Sequence, residues 1–240
     1  MRTVAIVQAR MGSTRLPGKV LLDLAGEPML SRVLARLARA RTLDKVVVAT
    51  TVEPADDPLV TWCERAGWTV YRGSEADVLD RYHQVANREW ADIVVRVTSD
   101  CPMIDPSLVD RVVIARADQD AAYASNLLPR RTYPRGLDTE VICAEALSEA
   151  WREATSSSDR EHVTPFLWSQ PDRFPQAVVM SDQDHSSLRW TVDTDADYEL
   201  ANRVYGHFGN DEFGWHDVLD VIQNHPDWSA LNSHIAQKAL

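Results

Sequence analysis

The chain has 240 residues, 45% of them hydrophobic, enough for one large α/β domain or two small ones around a real core. Its formal net charge of −11 argues against a general nucleic-acid binder, which needs a basic face to displace counterions from phosphates. No run approaches the roughly 18 uninterrupted apolar residues of a membrane span, and the start MRTVAIVQARMG lacks the apolar stretch and small-residue cleavage site of a signal peptide.

Cys63, Cys101 and Cys143 are too widely spaced for a CxxC pair and too few for a complete disulfide framework, and the seven histidines show no HExxH spacing. This is the usage of a reducing compartment and predicts a cytoplasmic protein without a membrane partner. Residues 1–50 hold nine Lys/Arg against three Asp/Glu, so a basic head precedes an acidic body. Arg32, Arg36, Arg39 and Arg41 fall in one periodic segment and read as a solvated helix face. Arg10, Arg15 and Lys19 differ because they sit in a loop.

In chain order, short β-branched runs alternate with segments of helical period, the pattern of a mostly parallel sheet covered by helices. The first strand spans Thr3–Ala9, followed by a helix over Met29–Ala40. Strand Lys45–Thr50 leads to helix Pro58–Ala66, strand Trp68–Tyr71 to helix Val78–Glu89, and strand Ile93–Val97 to helix Pro106–Ala117 with Asp105 as N-cap. Beyond about residue 120 the pattern loosens. Asn126–Pro134 reads as a loop, Leu137–Cys143 and Leu188–Val192 as strands, and Ala144–Ala154, Arg160–Trp168, Ala196–His207 and Trp215–Gln223 as helices. Ser156–Ser158 is too short a linker to separate domains, so a single domain over residues 1–240 is the simplest account.

The loop Ala9-Arg10-Met11-Gly12-Ser13-Thr14-Arg15-Leu16-Pro17-Gly18-Lys19 leaves the end of a buried strand, where open α/β sheets bind ligands. Gly12 and Gly18 allow amides to turn inward while Arg10, Arg15 and Lys19 neutralise charge, a composition suited to a triphosphate. It is not a Walker A loop, because five residues separate Gly12 from Gly18 and Val20 stands where a Ser/Thr is required, and no G-x-G-x-x-G occurs anywhere.

Asp100, in Thr98-Ser99-Asp100-Cys101-Pro102, emerges at the same sheet edge, and Leu188–Val192 delivers Asp193-Thr194-Asp195 before a helix. Mg²⁺ usually takes one or two carboxylates plus phosphate oxygens, which Asp100 and Asp193 can supply. Each aspartate alone serves as readily as a cap or strand-end residue, and Asp195 is placed to cap Ala196–His207. Ser74 and Asp77, after the third strand, either cap the next helix or contact a ligand. Cys101 has no base beside it in sequence and reads as a small strand-end residue rather than a nucleophile. Arg135, Asp138 and Glu140 lead one strand, and Arg160 and His162 stand at a helix start, where they either hold an anion or merely cap.

Gln8 to Lys19 resembles, almost letter for letter, the opening x-A-R-x-x-S-T-R-L-P-x-K of the cytidylyltransferases that make CMP-activated acid sugars, the CMP-KDO and CMP-sialic acid synthetases. The likeness runs from residue 3 to about residue 200 and is nearest to the spore-coat polysaccharide branch of the SpsF type. Ser99 stands where the family usually has glycine, and Cys101 replaces the glutamate of the KDO enzymes. The resemblance implies a three-layer α/β/α domain with a Rossmann-like, GT-A-like sheet. Residues 1–120 form its nucleotide-binding half, 121–190 a less regular acceptor-binding and dimerisation region, and 191–240 carry the second metal aspartate and the C-terminal helices. It implies nucleotide binding by Gln8, Ala9, Arg10, Gly12, Ser13, Thr14, Arg15, Lys19, Ser74, Asp77, Thr98 and Ser99, and acceptor binding by Arg135, Asp138, Glu140, Arg160 and His162. Mg²⁺ would be held by Asp100 and Asp193, with Arg10, Arg15, Lys19 and Asp100 carrying catalysis. The implied activity is transfer of CMP from CTP to a sugar-like acceptor with release of pyrophosphate, in surface polysaccharide or glycoconjugate biosynthesis, by a homodimer. Two rivals stand beside it: a glycosyltransferase reading Asp193-Thr194-Asp195 as D-x-D, and a non-catalytic nucleotide sensor.

Overall fold

The computed structural model describes residues 1–236, so the last four residues of the segment 191–240 lie outside the described residues. Its main sheet takes strands β1 (Thr3–Gln8), β4 (Lys45–Thr51), β5 (Thr69–Gly73), β6 (Ile93–Thr98), β7 (Tyr123–Ser125), β8 (Glu140–Cys143) and β9 (Gln176–Val178), and β2 (Asp23–Leu24) with β3 (Glu27–Pro28) forms a separate hairpin. The sheet order is β5-β4-β1-β6-β8-β7-β9. Strands β5, β4, β1 and β6 pair in parallel, β8 runs antiparallel to β6 and β7, and β9 is parallel to β7. After β5 the chain crosses to the far side of β1, creating a switch point between β1 and β6 where the carboxyl ends of the strands leave a crevice.

Both faces of the sheet are buried. In β1, Ala5 and Val7 join one apolar cluster while Val4 and Ile6 join the other, and in β4 Val46 and Val48 alternate with Val47 and Ala49 in the same way. The first cluster is covered by α1 (Met29–Leu37), α2 (Asp57–Arg65), α4 (Pro106–Asp118), α8 (Asp195–Phe208) and α9 (Trp215–Asn224), the second by α3 (Val78–Arg88), α5 (Ala144–Glu153) and α7 (Pro165–Trp168). The three-layer arrangement expected from the sequence is therefore present. Two short helices, α6 (Ser157–His162) and α10 (Pro226–Ala230), complete the described chain.

Several sequence expectations need correcting. Leu188–Val192 is extended but joins no sheet, making only a parallel bridge between Arg189 and Arg135. Its backbone is fixed locally: Trp190 N donates to Arg135 O at 2.7 Å and Val192 N to Asp100 O at 2.8 Å. Gly136, at φ +101°, permits this approach, since a Cβ there would lie 2.6 Å from Thr191 N. The single helix expected over Arg160–Trp168 is broken at Val163, at φ +73°, just before Pro165. Thr194, not Asp195, caps α8, in a capping box with Asp197.

The arginine face of α1 is the largest departure. Arg32 and Arg36 lie one turn apart and are 8% and 0% exposed. Arg36 donates to the carbonyls of Ile104 at 2.7 Å, Asp211 at 2.8 Å and Phe213 at 2.9 Å, with its guanidinium 4.3 Å from the Phe213 ring centroid. A charged face reads as solvated only when no partner is foreseen, and here loop carbonyls distant in sequence supply the partners. Trp215, at the start of α9, is packed in the core, at 5% exposure.

Candidate active site

The basic loop is held from behind. Asp56, 3% exposed at the start of α2, accepts the Met11 amide at 2.7 Å and the Thr51 hydroxyl. Met11 O in turn accepts the amides of Ser13 at 2.9 Å and Gly18 at 3.0 Å. The Gly18 amide thus closes the loop instead of facing a ligand, and Gly18 itself takes φ +68°. Leu16 tucks into the core, leaving the side chains of Arg10 and Arg15 51% and 41% exposed.

Lys19 is the junction of the site. Its Nζ lies 2.8 Å from Asp193 Oδ1, 2.8 Å from Val192 O and 3.5 Å from Asp100 Oδ2. The loop after β1, the turn after β6 and the extended segment before α8 therefore converge on one ammonium group. Asp193 Oδ2 also meets Arg15 Nη2 at 3.0 Å and Arg189 Nη2 at 2.9 Å. Burial pushes the Asp193 carboxyl up, but Lys19, Arg15 and Arg189 outweigh it and hold the group below the usual carboxylate range. Asp100 Oδ1 accepts the Thr98 hydroxyl at 2.5 Å.

These groups line a cavity of about 940 Å³ at the switch point. Among the residues expected to hold nucleotide, Gln8, Ala9, Arg10, Gly12, Ser13, Thr14, Arg15, Lys19, Ser74, Thr98 and Ser99 all border it, as do Asp100 and Asp193. Asp77 does not. It caps α3, accepting Asp80 N at 2.8 Å, and binds Arg160 Nε at 2.9 Å. Arg160 is spent on that pair and on Trp151 O, whereas its neighbour His162 does line the cavity.

The other acceptor candidates lie elsewhere. Glu140 is 3% exposed in the sheet, paired with Arg96 and accepting the Tyr123 hydroxyl at 2.6 Å. Asp138 pairs with Arg131, its Oδ2 at 2.9 Å from Nη2, and Arg135 is engaged through its backbone with Leu188 and Trp190. Cys101 is 2% exposed, and burial reinforced by Asp100 and Asp138 pushes its thiol well up, which fits a packing residue.

Sequence reasoning missed Arg81 and Glu75. Arg81, 3% exposed, borders the cavity and donates to Glu75 O at 3.2 Å, while Glu75 Oε1 lies 3.1 Å from Arg10 Nη1. Burial lowers the Arg81 guanidinium below its ordinary value. The only local hint was Gly73, whose missing Cβ would sit 2.9 Å from Arg81 Cγ.

The donor set suits a hard divalent cation bound together with a substrate. Among the described residues no three His, Cys, Asp or Glu side chains cluster as a protein-only metal site. Asp100 and Asp193 instead offer two carboxylates beside cationic groups that attract phosphate, so the remaining ligands would be substrate oxygens and water, the habit of Mg²⁺. No helix among the described residues is long and apolar enough to cross a membrane.

The model of the cytidylyltransferase family matches residues 4–208. The spore coat polysaccharide biosynthesis protein SpsF of Bacillus subtilis is 32% identical over 92% of this chain and 94% of its own length. A 3-deoxy-manno-octulosonate cytidylyltransferase of Geobacter sulfurreducens is 39% identical over 59% of this chain and 56% of its own. Among solved structures, a cytidylyltransferase from Leptospira borgpetersenii superposes with a TM-score of 0.91 at 32% identity, covering all of both chains. With the opening motif, the switch-point cavity and the paired aspartates in place, the chain belongs to the cytidylyltransferase family and is a nucleotidyltransferase.

Proposed function

We propose that this chain is a Mg²⁺-dependent enzyme that transfers CMP from CTP to a sugar-like acceptor and releases pyrophosphate, serving surface polysaccharide or glycoconjugate synthesis in the cytoplasm as a homodimer. The observation that carries the reading is the meeting of Lys19 with Asp100 and Asp193 at the mouth of a basic loop. Choice of CTP follows the family and the names of its relatives.

In this reading an acceptor oxygen attacks the α-phosphorus in line and pyrophosphate leaves. Arg10, Arg15 and Lys19 neutralise the charge that builds on the leaving group, on a loop anchored by Asp56, with Arg10 held by Glu75 and Arg15 and Lys19 by Asp193 before the reaction. Mg²⁺ held by Asp100 and Asp193 would supply further neutralisation of the phosphate oxygens. Ser74, Glu75 and Arg81 also border the cavity and are assigned to the rest of the nucleotide. Acceptor contacts are assigned to His162, the acceptor candidate that borders the cavity.

The D-x-D reading of a glycosyltransferase loses support because Asp195 is exposed, begins α8 and does not border the cavity. The product separates the two. CTP incubated with Mg²⁺ and a panel of sugar acids and sugar phosphates should yield pyrophosphate. A sugar nucleotide that instead yields a nucleoside mono- or diphosphate, with no pyrophosphate from any triphosphate, would replace this proposal with the glycosyltransferase.

A further inference from the structure

Asp193 is not positioned by the cavity alone. Four residues on, the Asp197 side chain is 0% exposed and accepts six hydrogen bonds. Two come from Arg189, Nε at 2.8 Å and Nη2 at 3.0 Å. Three come from the turn that carries the cavity aspartate: Asp193 N at 3.0 Å, Thr194 N at 3.1 Å and Thr194 Oγ1 at 3.0 Å. The sixth comes from Asn232 Nδ2 at 2.8 Å, and the same amide nitrogen donates to Arg189 O at 2.9 Å.

Arg189 uses the Nη2 that binds Asp197 to reach Asp193 Oδ2 as well. The Asp193 backbone and one of its carboxylate oxygens are therefore both fixed from a buried anion, and that anion is fixed by an asparagine 3% exposed in the turn after α10. A buried carboxylate with so many donors is rigid, and a rigid partner sets the direction of the ligand it holds. Capping of α8 accounts for the Thr194 bonds but not for those to Arg189 and Asn232.

We infer that Asn232, acting through Asp197 and Arg189, is a positioning residue for Asp193, so that the C-terminal turn sets the affinity of the active site for its divalent cation. The inference rests on the metal-dependent reading given above. Outer contacts of this kind typically change metal affinity by about ten- to a hundredfold.

Mn²⁺ binding, followed by its electron paramagnetic resonance signal in the presence of CTP, tests this without turnover. Asn232→Ala should weaken Mn²⁺ binding about tenfold while leaving metal-free CTP binding within about twofold, since Arg10 and the loop are untouched. Arg189→Lys, which retains a cation but cannot bridge both aspartates, should weaken Mn²⁺ similarly with the thermal midpoint of a folded protein intact. Wild-type Mn²⁺ affinity in both folded variants overturns the inference and leaves the proposed function standing. A wild-type protein that binds neither CTP nor Mn²⁺ overturns both.

Discussion

Two sets of basic residues lie within 27 positions of each other and meet opposite fates. Arg10, Arg15 and Lys19 leave β1 on a loop whose backbone is anchored by Asp56, so their charges face a cavity and are countered by side chains that a substrate can compete with. Arg32 and Arg36 leave α1 toward the core, and loop carbonyls and Asp211 take up their donors. Residue type does not separate catalytic from structural charge. The surroundings do: loop carbonyls and Asp211 close over Arg32 and Arg36, whereas Arg10, Arg15 and Lys19 border the cavity.

Substitutions should divide the two sets by what they damage. Asp100→Asn removes a charged oxygen from the cavity and should lower metal-dependent turnover by at least about a thousandfold, with an unchanged denaturation midpoint. Near-normal turnover would take Asp100 out of the site. Arg36→Ala leaves three carbonyls without their donor and should cost about 3–5 kcal/mol in urea denaturation, with activity per folded molecule preserved. A loss below about 1 kcal/mol would show that water replaces the guanidinium. Lys19→Ala should reduce kcat about a hundredfold, near 3 kcal/mol of transition-state stabilisation, since it removes one preorganised cation. Arg203→Ala is the surface control: its pairs with Glu199, one turn away, and with Asp227 should each be worth about 0.3–0.5 kcal/mol or less, and turnover should be unchanged.

Much of this was legible in the sequence because its signals are local. The first four parallel strands and their helices follow from short β-branched runs alternating with segments of helical period, and the loop Gln8–Lys19 carries its chemistry in contiguous letters. What escaped was decided by distant partners. Strands β7 and β9 have three residues each, too few to show a period, and exist because β8 and then β7 offer an edge. Leu188–Val192 has strand-like composition yet is claimed by the turns at Arg135 and Asp100. Arg36, Arg81 and Asn232 are single polar letters whose burial no window of sequence reveals. Glu140 looked like a site carboxylate beside Arg135 and Asp138, but strand alternation turns it into the sheet toward Arg96.

The claim that this cavity binds a cytidine triphosphate with a metal is tested most directly by titrating CTP, UTP, ATP and GTP into the protein by calorimetry, with and without Mg²⁺. The account predicts selective CTP binding that strengthens with Mg²⁺. Equal affinity for all four triphosphates, or no response to Mg²⁺, would contradict it.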